Sequence, residues 1–403
     1  MKGKTKLELA LLCLVPFIMV LGNSMLIPVL PAIKSALKTD QFHVGLLITA
    51  FSIPAGIIIP FAGILSDQVG RVKVMAPALA VYGFGGLVAG ISSLVFEKPY
   101  IMILIGRVIQ GIGAGGTYQL AMALTGDIFK TKERTKALGL LEASNGLGKV
   151  ISPIAGALAG LISWFAPFFV YGILAIPIGL VLWFVLKDPK DLQKQNPSEY
   201  LDAIKTIFRQ KAFPLASCFL SGMVALFVLF GLLSYYSDVL EEVFKIKGFL
   251  KGIVIAGPVL AMAIVSFSLG LVLEKVKNSF FKPVIITGLA LIALGQLAFC
   301  FSHSFWWMLV AVIVLGLGVG SVLPPVNTLI TSSASTKRRG IITCLYGSVR
   351  FFGVAIGPPA YGFIENFGRV PVLITSTVIV GMVAVTAFFF IREKVLMKEE
   401  KEG

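Results

Sequence analysis

Residues 139–157, GLLEASNGLGKVISPIAGA, form a stretch apolar and long enough to lie inside a bilayer, with Lys149 near its middle. Pro153 follows one helical turn later, and Gly139, Gly148 and Gly156 frame the pair. A charge at bilayer depth is expensive, so an intramembrane ionisable residue points to function. Glycines let a neighbouring helix approach closely, and proline removes a backbone hydrogen bond and bends the helix. A charged, glycine-lined, bent membrane helix suggests a transport pathway.

The surrounding sequence has the matching composition. Of 403 residues, 57% are hydrophobic and only 14% charged, where soluble domains carry about 25% charged residues. Apolar runs of about 20 residues, each long enough to span a bilayer, recur near 7–30, 44–65, 74–96, 100–125, 137–162, 164–186, 213–236, 249–273, 281–302, 305–329, 341–364 and 370–391. The expected fold class is an all-α membrane protein of twelve transmembrane helices.

The net charge of +15 is mostly a topology signal, because lysine and arginine concentrate in cytoplasmic segments. With both termini cytoplasmic, that side holds Lys2, Lys4, Lys6, Arg71, Lys73, Lys130, Lys132, Arg134, Lys136, Lys337, Arg338 and Arg339, and no nucleic-acid partner is needed to explain them. Cys13, Cys218, Cys300 and Cys344 lie in apolar runs without C-x-x-C spacing, and His43 and His303 fall near span ends, so no metal site is expected.

The longest hydrophilic connection divides the chain into 1–186, a linker over 187–211, and 212–403. Within the linker, Asn196 can cap a helix begun by Pro197, and Leu201, Ile204, Ile207 and Phe208 make an apolar stripe. With Lys205, Arg209 and Lys211 beside it, this reads as an amphipathic helix on the inner membrane surface, or as a solvated linker. The halves echo each other roughly 205 residues apart, as parallel transporter repeats do. Gly63 and Asp67 match Gly270 and Glu274; Gly111, Gly113 and Gly115 match Gly316, Gly318 and Gly320; Gly148 and Pro153 match Gly353 and Pro358, with Gly357 beside it. Two six-helix bundles related by a parallel pseudo-twofold repeat are expected.

Residues 63–75, GILSDQVGRVKVM, resemble the signature loop of the major facilitator superfamily, G-x-L-A-D-r-x-G-r-k, at Gly63, Leu65, Asp67, Gly70 and Arg71. Gln68 and Val72 depart from it, with Lys73 one place later. Gly63 allows close packing, Gly70 a tight turn, and Asp67 can pair with a cation or a helix N-terminus. Arg107, Gln110 and Gly111 are similar to the family's R-x-x-q-G, whose arginine is linked to proton transfer in proton-coupled relatives; the alternative is a structural arginine bonded to backbone carbonyls. The opening stretch resembles the exporter motif G-x8-G-x3-G-P-x2-G-G at Gly139, Gly148, Pro153 and Gly156, with Ser152 and Ala157 replacing two glycines. Pro28 and Pro31 make the P-x-x-P of the drug-export branch. The resemblance implies a drug/proton antiporter with two six-helix bundles, working as a monomer in the cell membrane, with a small-molecule substrate, protons and membrane lipid as partners.

Within the spans, Glu142, Asn145 and Lys149 share one helix face, and seven residues cover about 10 Å of axis, too far for Glu142 to pair with Lys149 directly. Glu142 is a candidate proton carrier with Arg107 and Asp67, or a carboxylate paired with Arg134 or Lys136. Lys149 and Arg350 make a positive cavity that favours an anion, or else snorkel or pair internally. Asn23 stands where cation exporters carry an acid, and Tyr118 is among the aromatics able to line a pocket. The expected function is proton-coupled export of small amphipathic molecules such as drugs. Export of an endogenous organic anion such as a siderophore is the alternative, and import of a small solute the next. No enzyme chemistry is visible, no cofactor is implied, and no G-x4-G-K-[ST] loop for ATP is present.

Overall fold

The computed structural model describes residues 3–129, 131–188, 197–273, 280–334 and 339–397. Its regular elements are helices, with no strand among the described residues. Twelve of these helices are long and apolar enough to cross a membrane, and they are numbered here as spans. Spans 1 to 6 are Lys6–Leu37, Gln41–Val69, Arg71–Val95, Tyr100–Ile128, Lys136–Ile162 and Ala166–Val185. Spans 7 to 12 are Lys211–Glu242, Gly248–Leu273, Phe281–Phe301, Phe305–Ser332, Arg339–Glu365 and Arg369–Phe390. A spanning helix satisfies every interior N–H and C=O within itself, which lipid cannot do.

Span 2 outruns its apolar stretch because caps, rather than hydropathy, end it. Span 2 starts at Gln41, not near 44. Asp40 accepts the His43 N–H at 2.8 Å, satisfying a donor that the first turn leaves open. It ends at Gly70, whose φ of +120° suits only glycine, and span 3 follows at once.

Two spans expected to be continuous are broken. Span 1 consists of a helix to Ser24, a 3₁₀ turn Ile27–Val29 and a helix Leu30–Leu37. Pro28 and Pro31 each stand at the start of a later piece, where a missing N–H is harmless. Span 4 divides into Tyr100–Gly115 and Tyr118–Ile128, with Thr117 at φ −115° and ψ −81° between them. Thr117 is buried, and its hydroxyl donates to the Ala114 carbonyl at 2.6 Å. Irregular backbone at membrane depth needs this kind of protein enclosure.

The chain forms two compact units, Met1–Pro197 with Ile246–Ile253, and Ser198–Lys245 with Val254–Gly403. A helix does begin at Pro197, and Lys211 interrupts it with φ −131°. Asn196 and the side chains of Leu201, Ile204, Lys205, Ile207 and Phe208 lie outside the described residues and side chains, as do those of Lys2, Lys4, Lys130, Lys132, Glu274, Lys337 and Arg338.

Each unit packs its fourth helix in the same manner. A Cβ on Gly111 would stand 2.1 Å from the Phe51 carbonyl oxygen, on Gly113 2.5 Å from that of Ala78, and on Gly115 2.9 Å from that of Ala55. In the second unit, Gly316 faces the Pro258 carbonyl at 2.2 Å, Gly318 that of Gly288 at 2.6 Å, and Gly320 that of Met262 at 2.6 Å. Glycine is required at these positions because backbone meets backbone, the packing mode that membrane helices favour.

Candidate functional site

Arg107 lies on span 4 and is fully buried in the first unit. Its Nε donates to the Leu47 carbonyl at 2.9 Å, and one terminal nitrogen donates to the Gly22 carbonyl at 2.8 Å and to Gln110 Oε1 at 2.5 Å. The other terminal nitrogen donates to Asn23 Oδ1 at 2.6 Å. Asn23 in turn donates to the Ser52 hydroxyl at 2.7 Å, and the guanidinium lies over the Phe51 ring at 4.6 Å. Arginine's planar fork suits such simultaneous bonds. Every hydrogen-bond acceptor is neutral, so the cation is held by dipoles and a ring face. Asn23 and Arg107, both expected in the substrate cavity, are thus in the bundle interior, joining spans 1, 2 and 4.

Span 5 presents a small residue at every fourth position, from Ser144 through Gly148, Ser152 and Gly156 to Gly160. This row lies against span 1. The Ser144 hydroxyl donates to the Cys13 carbonyl at 2.6 Å. A Cβ on Gly148 would stand 3.1 Å from the Phe17 carbonyl, on Gly156 2.0 Å from that of Met25, and on Gly160 3.2 Å from Val29. Gly156 therefore abuts the break in span 1. Gly139 differs from the expectation for the glycine frame, since nothing lies within 4 Å of its would-be Cβ. Pro153 is buried on this helix and withholds the helical N–H from the Lys149 carbonyl.

On the adjoining face, the Tyr118 hydroxyl donates to Glu142 Oε1, tying span 5 to the second piece of span 4. Glu142 is exposed and its bond goes to this tyrosine rather than to Arg134 or Lys136. Asn145 is buried and Lys149 half-buried on the turns that follow. A carboxylate, an amide and an ammonium thus line about two turns of span 5, with the Tyr118 phenol bonded to the first of them from beside the break in span 4.

The signature loop forms a charge cluster at the junction of spans 2, 3 and 4. Arg71 pairs with Asp67 at 3.6 Å and with Asp127 at 2.5 Å. Asp188, beyond span 6, accepts the Val72 N–H at 2.8 Å and lies where a Cβ on Gly70 would be, 2.3 Å away. Sequence reading missed Asp127 and Asp188. Their only signal was an acid at each helix end on the side that carries the basic residues.

In the second unit, Arg350 on span 11 is half-buried with its guanidinium 5.6 Å from the Tyr346 ring centre. Its Nε has no hydrogen-bond partner among the described residues. Gly353 and Gly357 seat span 11 on span 7, with would-be Cβ atoms 2.3 Å from the Met223 carbonyl and 2.4 Å from that of Phe227. Pro358 is buried beside them. The polar core here centres on an amide: Tyr361 and Ser376 both donate to Gln296 Oε1, the former at 2.6 Å.

The family model described as Major Facilitator Superfamily matches residues 12–358. The Bacillibactin exporter of Bacillus subtilis (strain 168) is 40% identical over 350 residues, covering 86% of this chain and 87% of that protein. The class B Tetracycline resistance protein of Escherichia coli is 25% identical over 385 residues, covering 91% of this chain and 89% of that protein. In fold, a bacterial homologue of the human lysosomal transporter Spinster, crystallised inward-facing and occupied, superposes with a TM-score of 0.80 at 18% identity over 98% of both chains.

Proposed function

The chain belongs to the Major Facilitator Superfamily, and from that premise we propose that it is a secondary exporter of small organic molecules, working by alternating access and driven by inward proton movement. It is a multi-pass membrane protein, placed by this reading in the cell membrane as a monomer with both termini cytoplasmic. Its working parts are 1–186, the linker 187–211 and 212–403.

The observation that carries the substrate class is Arg350. A half-buried guanidinium whose Nε has no hydrogen-bond partner among the described residues gains from an arriving anion, because charge attraction grows as water is excluded. The Tyr346 ring beneath it is buried and stacked on Phe219, so what the guanidinium offers a ligand is its charge, and an anion is favoured over a cation. Lys149 adds a second positive charge in its own unit. The likeness to a bacillibactin exporter supports an endogenous organic anion of the siderophore class. The drug-export reading is favoured by the likeness to a tetracycline resistance protein, and the small-residue row of span 5, matching the exporter motif, opposes import.

For the proton, Glu142 is the proposed carrier. Its carboxylate accepts from Tyr118, and a proton taken up there would turn that acceptor into a donor. The Tyr118 bond links that change to the break in span 4.

The test is transport in proteoliposomes with an imposed pH gradient. A catecholate siderophore is expected to move against its gradient, and Arg350→Ala is expected to lower that flux about tenfold or more, the worth of one charge-assisted hydrogen bond, while sparing a cationic dye. Flux indifferent to the pH gradient rejects proton coupling. Equal loss of dye and siderophore transport rejects the anion site.

A further inference from the structure

The structure assigns a binding site for the phosphate headgroup of an anionic phospholipid to the notch between the start of span 3 and the end of span 6. A cavity of about 350 Å³ opens there, lined by Val72, Lys73, Trp183, Leu186, Lys187 and Asp188. Lys73 and Lys187 are exposed, and neither ammonium has a hydrogen bond or ion pair among the described residues. The one acid in the wall, Asp188, is held within it, its Oδ1 accepting the N–H of Val72 at 2.8 Å. The notch therefore offers a ligand two cations against one hydrogen-bonded carboxylate, a net positive charge.

Its apolar wall selects a lipid over a free anion. Trp183 is 48% exposed on the last turn of span 6, the depth at which tryptophan anchors helices to the headgroup layer. Leu180 lies one turn deeper on the same side of the helix, and Phe184, next to Trp183, is 78% exposed. A headgroup on the lysines leaves its acyl chains beside these side chains. Basic pockets between helices at the membrane edge hold acidic headgroups by the same attraction.

The second unit supplies an independent comparison. Glu393, after span 12, accepts the Lys282 N–H at 2.5 Å at the start of span 9, repeating the bond from Val72 to Asp188. Lys282 stands where the first unit has Val72, and its ammonium lies 4.9 Å from the centre of the Phe388 ring, in the position of Trp183. That notch carries its own cation on its own ring. Val72 is too short to do the same, so in the first unit the ring and both lysines face outward.

Native mass spectrometry of the full-length protein, titrated with phosphatidylglycerol or phosphatidylcholine of matched chains, tests this. One phosphatidylglycerol per chain is expected to remain bound at about tenfold lower lipid concentration than phosphatidylcholine, given the attraction each lysine supplies. The double variant Lys73→Gln/Lys187→Gln is expected to lose the preference, and Lys73→Arg/Lys187→Arg to keep it. Equal binding of the two lipids, or a preference that survives the double glutamine variant, overturns the site. Displacement of the lipid by millimolar inorganic phosphate would instead identify a soluble phosphate ligand and overturn the lipid.

Discussion

At the scale of single residues, Arg107 shows what a motif leaves open. The R-x-x-q-G resemblance joins this arginine to proton transfer, whereas its surroundings are those of a clamp, with bonds to Leu47, Gly22, Gln110 and Asn23. The sequence displays Arg107 and Gln110 one turn apart, but the carbonyls of Leu47 and Gly22 come from other helices and carry no side-chain signature. Lysine keeps the charge and loses the fork, so Arg107→Lys is expected to destabilise the protein by about 3 kcal/mol, the range for breaking a buried charged group's partners. A thermal midpoint unchanged from wild type, with pH-gradient coupling lost, would reject the clamp in favour of proton transfer. Asp40 makes a smaller and cleaner case, outside the membrane. Burial raises its pKa slightly, but bonds from the His43 N–H and ring, with the charge of His43, outweigh this and lower it. A carboxylate lowered on folding contributes stability above its unfolded pKa and loses it as pH falls through the folded one. Asp40→Ala is expected to cost about 0.5–1 kcal/mol at neutral pH, as exposed helix caps do, and the difference should close in acid. A difference that persists below pH 3 would mean that the charge is not what caps span 2.

At the scale of the helix, spacing revealed which residues matter and not what they touch. Gly139 and Gly156 count equally in the exporter motif, yet Gly139 faces nothing within 4 Å and Gly156 stands against the Met25 carbonyl. The break in span 1 that receives Gly156 was legible only as Pro28 and Pro31, because the residues around them are uniformly apolar and hydropathy has no contrast there. The break in span 4 was likewise hidden, since Gly111, Gly113, Gly115 and Gly116 signal packing and hinge equally. Gly139→Ala is therefore expected to hold or raise the thermal midpoint, alanine being about 1 kcal/mol better than glycine within a helix. Gly156→Ala must force spans 1 and 5 apart, and overpacking of this kind costs about 1–3 kcal/mol. Size-exclusion profiles and thermal midpoints of the two variants in detergent decide it, and equal behaviour of the pair would show that the small-residue row is not the seam of spans 1 and 5.

At the scale of the whole chain, the repeat was visible as glycines in register, and the structure shows what the register preserves. Gly111 and Gly316 meet the carbonyls of Phe51 and Pro258, and Val72 and Lys282 receive carboxylates from Asp188 and Glu393. What is repeated is a set of backbone approaches and caps, so side chains diverge freely: the first unit centres on Arg107, the second on Gln296, Tyr361 and Ser376. One contact has been kept by exchanging its two sides. Where the first unit sets Gly156 of span 5 against Met25 of span 1, the second sets Tyr361 of span 11 against Gly231 of span 7, the ring 2.4 Å from a would-be Cβ. Sequence alignment of the halves sees Gly156 and Tyr361 as a mismatch, because it compares one helix at a time. If the seam is conserved as a paired volume, Gly231→Ala is damaging only while Tyr361 is present. A double-mutant cycle with Tyr361→Ala should then show coupling of about 1 kcal/mol or more, the size found for residues in contact. The loss of the Tyr361 bond to Gln296 enters the single variant and the double variant alike and cancels from the cycle. Additive changes in the unfolding free energy would mean that Gly231 serves another neighbour, such as the Gly357 carbonyl 3.1 Å away, and the exchange of sides would be only a coincidence of spacing.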